Sequence, residues 1–135
     1  MSSCIFCKIA NKEIPGKIVY EDDFCLAFLD LSQVTPGHTL VIPKAHVKNI
    51  LEADPALAGH LFEVVTKLSQ KIVKSLGASG CNILSNANEI AGQSVMHFHV
   101  HIIPRYDGNK DGFQMHFANN EGKFNLDDIQ AKIIA

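Results

Sequence analysis

Ser94-Val95-Met96-His97-Phe98-His99-Val100-His101-Ile102-Ile103-Pro104-Arg105 alternates three histidines with apolar residues and then passes into an apolar pair. This is the pattern of a strand. With a side-chain period of two, His97, His99 and His101 share one face at intervals of about 6.6 Å, while Phe98, Val100 and Ile102 line the other. A plain solvent face would carry Thr, Lys or Glu, and three adjacent imidazoles risk charging together near neutral pH, so the row points to chemistry. A three-histidine metal site, a histidine nucleophile with anion-binding neighbours, and a mixture of the two all remain open. Side chains at i and i+4 lie about 13 Å apart on a strand, whereas two imidazoles on one Zn²⁺ each sit about 2.0–2.1 Å from it. His97 and His101 therefore cannot share a metal without a bulge.

The segment His97 to Ile103 resembles the signature of the histidine triad (HIT) nucleotide hydrolases and transferases, in which histidines alternate with hydrophobic residues and two hydrophobic residues follow. The likeness extends to Asp30 and its flanks, to Thr35-Pro36-Gly37-His38-Thr39-Leu40-Val41-Ile42-Pro43-Lys44-Ala45-His46, to Asn86 and to Ala91-Gly92-Gln93-Ser94, covering residues 4–106.

Outward from these blocks, 135 residues with 47% hydrophobic content suffice for one domain with a real core and are too few for two. We read residues 1–135 as that single domain, with its core over 4–106 and a C-terminal extension over 107–135. The net charge is −2 and the basic residues are not clustered, which gives no reason to expect nucleic acid. No apolar run approaches a membrane span, and Met1-Ser2-Ser3-Cys4 does not open a secretory signal, so the cytoplasm is the expected location.

Of the four cysteines, Cys25 and Cys81 lie in apolar, strand-like runs where a buried free thiol is ordinary. Cys4 and Cys7 form a Cys-x-x-Cys, which can be a redox pair, half a zinc site or chance. A redox motif should follow a strand and open a helix, whereas this one lies at the extreme N-terminus. Half a zinc site needs two more ligands, for which His46 and His97 are the candidates. The resemblance implies the same: zinc-binding, bacterial-type members of the superfamily carry Cys-x-x-Cys near the N-terminus and use the first triad histidine as a ligand. A structural Zn²⁺ on Cys4, Cys7, His46 and His97 would hold His97 as a neutral ligand and leave His99 free.

Ile5 to Ala10 suggest a short helix ended before Ile14-Pro15-Gly16. Strands follow at residues 17–21 and 24–29, separated by an Asp22-Asp23 turn, and a third is expected at 38–43 after Pro36-Gly37. Asp54-Pro55 starts the main amphipathic helix, whose apolar residues recur from Leu57 to Leu76, with His60 expected at its solvated surface. Residues 80–85 read as the next strand, and a polar loop over 86–93 leads to the triad strand. Residues 106–112 read as a loop, His116 as an ordinary loop histidine, and residues 125–134 carry a weak helical pattern. The fold class is α+β: about five antiparallel strands with one long helix and a shorter N-terminal helix. The resemblance implies the histidine triad fold, commonly a homodimer, with a nucleotide cleft over the histidine face.

What the resemblance implies for chemistry is specific. His99 attacks the α-phosphorus of a nucleoside 5′-phosphate derivative, His101 serves the phosphate oxygens and Ser94 the leaving group. Asn86 and Gln93 line the phosphate region, and Asp30 holds the ribose hydroxyls. Ile5, Phe6, Ile9, Phe28 and Leu31 are the expected lining for the base; singly, each is equally consistent with plain core. No Walker-type Gly-x-x-x-x-Gly-Lys loop is present, so side chains and strand ends must hold the nucleotide. Ser94 matches the phosphoramidate-hydrolysing branch, while Pro104-Arg105 resembles the dinucleoside-polyphosphate branch. A purine nucleoside phosphoramidase is the favoured expectation, with a dinucleoside polyphosphate hydrolase, or a nucleotide-binding regulatory module of low turnover, as alternatives.

Overall fold

In the computed structural model, which describes residues 3–108 and 112–135, the chain runs α1 (Ile5–Ala10), β1 (Ile18–Glu21), β2 (Cys25–Leu29), β3 (Thr39–Pro43), α2 (Pro55–Leu76), β4 (Gly80–Leu84), β5 (Val100–Arg105) and α3 (Leu126–Ile134). The five strands form one antiparallel sheet in the order β1-β2-β3-β5-β4. This is the α+β architecture expected from the sequence. The first four strands begin within one residue of their expected starts. Of the loop expected at residues 106–112, positions 109–111 lie outside the described residues.

The triad strand is shorter than its alternation suggests. The β3–β5 ladder starts at Val41 opposite Val100, and β4 pairs no further upstream than Leu84 opposite His101. Before that point the backbone bonds elsewhere: Phe98 N–H donates to the Val47 carbonyl at 2.7 Å, and Ser85 Oγ donates to the His99 carbonyl at 2.8 Å. The facing nevertheless holds. Phe98, Val100 and Ile102 enter the core beneath α2, with Leu61, Val64, Val65 and Leu68 of that helix. A second cluster on the other face joins Phe6, Ile9 and Ala10 of α1 to Leu26, Phe28, Leu40 and Ile42.

Local chemistry explains the punctuation. Asp54 caps α2 by accepting from Ala56 N–H at 2.8 Å, Pro55 occupies its first turn, and Gly77 ends it at φ +69°. Asp22 Oδ1 accepts from the amides of Phe24 and Cys25, which closes the β1–β2 turn. His60 departs from expectation. Instead of a solvated surface position it is half-buried against the Phe24 ring, with Nε2 2.7 Å from Asp22 Oδ2. That pair ties α2 to the hairpin. Among the described residues, no helix is long and apolar enough to cross a membrane.

Two glycines separate backbone need from tolerance. Gly37 has φ +94°, and an added Cβ would collide with Leu76 Cδ1 and lie 3.2 Å from Pro104 Cγ; at Gly59, inside α2, it would meet nothing within 4 Å. Gly37→Ala should destabilise the domain by about 1–3 kcal/mol, whereas Gly59→Ala should stabilise it by roughly 0.5–1 kcal/mol. Urea denaturation of the two variants checks the opposite signs.

Candidate active site

The row of imidazoles divides into two sites because His97 and His99 are claimed by different partners. His97 is fully buried, and its Nε2 lies 2.8 Å from the Pro43 carbonyl. A carbonyl only accepts, so that nitrogen carries the proton and Nδ1 is left with a lone pair. Nδ1 faces Cys4 Sγ at 3.4 Å, Cys7 Sγ at 3.5 Å and His46 Nδ1 at 3.2 Å, and Cys7 Sγ lies 3.3 Å from His46 Nδ1. Four ligand atoms from the four expected residues thus meet within 4.8 Å of one another.

The spacing can be tested against a metal. With Zn–S about 2.3 Å and Zn–N about 2.0–2.1 Å, a regular tetrahedron has S···N edges of about 3.5 Å and an N···N edge of about 3.3 Å. The three S···N separations and the one N···N separation above match those edges within a few tenths of an ångström. Cys4 reaches the cluster because it caps α1, accepting from the Cys7 amide, and the first turn of that helix brings Cys7 beside it. The donor set of two thiols and two imidazoles suits a closed, tetrahedral site.

His99 belongs to a different environment. Its ring is 6% exposed, and Nδ1 lies 2.6 Å from the carbonyl of His97. Nδ1 is therefore the donor, and Nε2 presents a lone pair to the cleft. Burial lowers the pKa of this ring, against an opposing pull from the His97 carbonyl and the Asp30 charge. The ring stays neutral at physiological pH.

A short relay sets His101 the opposite way. Val34 N–H donates to His38 Nδ1 at 3.2 Å, so His38 carries its proton on Nε2 and directs it at His101 Nδ1, 2.9 Å away. His101 then holds its own proton on Nε2. Burial first, and the neighbouring His99 and His38 next, push its pKa down to about 4. The rings of His99 and His101 stand 5.0 Å apart, centroid to centroid. One offers a lone pair and the other an N–H. The same assignment removes Asp30, His38 and His101 as a metal set, although their ligand atoms lie close together, because a protonated Nε2 on His38 has no lone pair to give.

These rings open into a cleft of about 390 Å³ between α1 and the end of β2. Phe6, Ile9 and Phe28 form its buried walls, exposed Ile5 and Leu31 its rim, and Asp30 and Ser94 its polar edges. The Phe6 ring meets His99 edge-on at 5.1 Å. Asp30 is anchored by one oxygen, which accepts from Ser32 N–H at 2.8 Å.

Asn86 and Gln93 are not brought to that cleft. Gln93 is 4% exposed and its amide is spent inside the loop: Nε2 donates to the Lys48 and Val95 carbonyls, and Oε1 accepts from Asn49 Nδ2 and Asn88 N–H. It braces the segment that carries Ser94. Asn86 Nδ2 donates to the Gly92 carbonyl at 3.3 Å, closing the same loop. His38 and Asn49 were not singled out from sequence. His38 reads there as the first residue of a strand and Asn49 as one polar residue among several; the only hint was a histidine placed directly after a Pro-Gly turn.

A model of the HIT domain family matches residues 11–108. The crystal structure of a HIT family protein from Bacillus anthracis superposes with a TM-score of 0.90 at 46% identity, covering 97% of this chain and 92% of that one. A Zn-bound histidine triad family protein from Mycobacterium smegmatis is 33% identical, with a TM-score of 0.79 over 98% of this chain and 96% of that one. In sequence, adenylylsulfatase HINT3 of Arabidopsis thaliana is 41% identical over 104 residues, 77% of this chain and 53% of that protein. With the family match spanning all five strands and likeness of this degree over nearly its whole length, the chain belongs to the HIT family.

Proposed function

We propose that this chain hydrolyses nucleoside 5′-phosphate derivatives at the α-phosphorus through a nucleotidyl-His99 intermediate, with purine nucleoside phosphoramidates as its substrates. The observation that carries the reading is the pair of opposed hydrogen-bond settings in the cleft, the His97 carbonyl at His99 Nδ1 and His38 Nε2 at His101 Nδ1, which assign opposite tautomers to the two rings. His99 Nε2 attacks the α-phosphorus while His101 Nε2–H donates to a non-bridging oxygen, where charge develops. The bond from phosphorus to the leaving nitrogen breaks, and the amine departs protonated, its proton passing from solvent through exposed Ser94. In the adduct the imidazole is cationic, and the His97 carbonyl on Nδ1–H stabilises that charge. Water then attacks phosphorus and gives up its proton to solvent. His99 leaves as neutral imidazole and the nucleoside monophosphate is released.

The cleft supports a nucleotide in this pose. Asp30 stands at its edge with carboxylate oxygens available to ribose hydroxyls, and Phe6, Ile9 and Phe28, with Ile5 and Leu31, offer an apolar slot for the base. A relative named as an adenylylsulfatase is in keeping with attack at an adenylyl phosphorus.

The dinucleoside-polyphosphate alternative drew on Pro104-Arg105. Arg105 is committed elsewhere: its guanidinium donates to Asn82 Oδ1 and to the Phe113 carbonyl and lies over the Phe113 ring. That weakens the alternative. A regulatory module of low turnover remains distinguishable by trapping the covalent intermediate.

Zn²⁺ on Cys4, Cys7, His46 and His97 is the second part of the proposal, supported by the edge lengths above and by the Zn-bound relative. When bound, the metal supplies a rigid cross-link between the N-terminal segment and the triad strand.

His99→Ala should lower turnover by on the order of 10³-fold or more with the fold and nucleotide binding retained; near-normal single-turnover kinetics in the folded variant contradicts the covalent route. Asp30→Ala should weaken binding by roughly 1.5–3 kcal/mol, a loss that disappears with 2′,3′-dideoxy substrates. Equal calorimetric losses with both substrates would make Asp30 a turn residue only. Protein purified without chelator should contain about one zinc per chain by elemental analysis. Replacing Cys4 and Cys7 together should remove the metal and lower the melting temperature, with a far smaller effect on turnover than His99→Ala. Metal retained without the cysteines but lost with His99 or His101 would overturn the assignment.

A further inference from the structure

Ser94 belongs to two hollows at once. Together with Ile5 and Val95 it lines the nucleotide cleft, and the same three residues line a second depression of about 430 Å³. Beyond that shared ridge the walls differ. Phe6, Ile9, Phe28, Asp30, His99 and His101 line the cleft alone, whereas Ser3, Cys4, His46 and Met96 line the depression alone. One hollow holds the reactive imidazoles, and the other adjoins it across the exposed serine.

In-line displacement gives the second hollow a use. His99 Nε2 attacks from within the cleft, so the bond that breaks lies on the opposite side of phosphorus. With the nucleoside against Phe6, Ile9 and Phe28 and a non-bridging oxygen at His101, the leaving nitrogen is the part of the substrate assigned to Ser94. The surface that continues past Ser94 is the depression. Hydrolysis of the adduct obeys the same rule, because water must enter from the position that the amine has left.

We propose that this depression is the subsite for the leaving amine, and that it takes primary amines bearing a neutral, apolar group of benzyl to indolyl size. The inference rests on the phosphoramidase reading and deepens it. Exposed Ile5 and half-buried Val95 and Met96 supply carbon surface. Ser3 and Ser94 supply hydroxyls, and His46, turned through Nδ1 to Cys7 Sγ, keeps its second nitrogen for a proton. Among the described residues that line the hollow there is no carboxylate and no ammonium group. An amine with a second positive charge would lose water there without gaining a partner, whereas an apolar group of the same length would not. The volume lies within the range of small-molecule sites, about 300–1,000 Å³.

The test compares adenosine 5′-phosphoramidates that differ only in the amine: ammonia, benzylamine, pentylamine and diaminobutane, the last two of equal length with and without a terminal charge. Each variant is read as kcat/KM for one amine over another, divided by the same ratio in the wild type, which cancels the intrinsic reactivity of the amines. Met96→Trp, which fills the hollow, should lower the benzylamine-over-ammonia ratio by roughly tenfold or more. Ser3→Glu, which supplies a counter-charge, should raise the diaminobutane-over-pentylamine ratio by about threefold or more at low salt, a gain that disappears in about 1 M salt. A gain of selectivity cannot come from loss of fold, so Ser3→Glu decides alone where Met96→Trp does not fold. An unchanged ratio in either folded variant, with the ammonia derivative still hydrolysed by the wild type, overturns the subsite and leaves the phosphoramidase reading standing. No hydrolysis of any of these substrates by the wild type overturns both.

Discussion

The hydrogen bond from His99 Nδ1–H to the His97 carbonyl, 2.6 Å long, is the interaction on which the proposed chemistry of this domain depends. It exists because one residue is used twice. The His97 side chain is held by the Pro43 carbonyl on one nitrogen and by the Cys4, Cys7 and His46 cluster on the other, which fixes its backbone. Its carbonyl is then aimed at the next imidazole on that face. In the proposed mechanism His99 becomes cationic on bonding to phosphorus, and the same hydrogen bond would then be charge-assisted, a class of about 1.5–3 kcal/mol against about 1 for neutral pairs. On that proposal it would strengthen as the reaction proceeds, which is the property that lowers a barrier.

Neutrality is the second requirement, and burial supplies it. His97, His99 and His101 are all driven below the usual imidazole range, chiefly by loss of water, so the row does not charge together at neutral pH. His38 is lowered in the same way, Asp30 notwithstanding. What distinguishes the rings is the identity of their partners. A backbone carbonyl makes His99 a donor at Nδ1, and a backbone amide, acting through His38, makes His101 a donor at Nε2.

Much of this was legible in the sequence where a local pattern carried it. The alternation over residues 97–102 fixed which side chains face α2 and which face the cleft, and Asp54-Pro55 and Gly77 bracketed the long helix. The start of β5 was not legible, because Val47 and Ser85 displace ladder partners through contacts distant in sequence. Gln93 presented the same difficulty: the resemblance implies a place for it beside the phosphate, and only contacts such as that with the buried Asn49 reveal that its amide is already satisfied. For α3 the periodicity was visible as a weak helical pattern, and the helix forms over Leu126–Ile134 with all of its residues exposed.

Histidine tautomers in solution test the central claim most directly. Two-bond ¹H–¹⁵N correlation spectra of ring-labelled protein at neutral pH, assigned by single substitution, report which nitrogen of each ring carries the proton. The expected spectrum has His99 neutral and protonated at Nδ1, with His101 neutral and protonated at Nε2. A spectrum with His99 protonated at Nε2, or doubly protonated, leaves no lone pair facing the cleft and contradicts the nucleophile assignment.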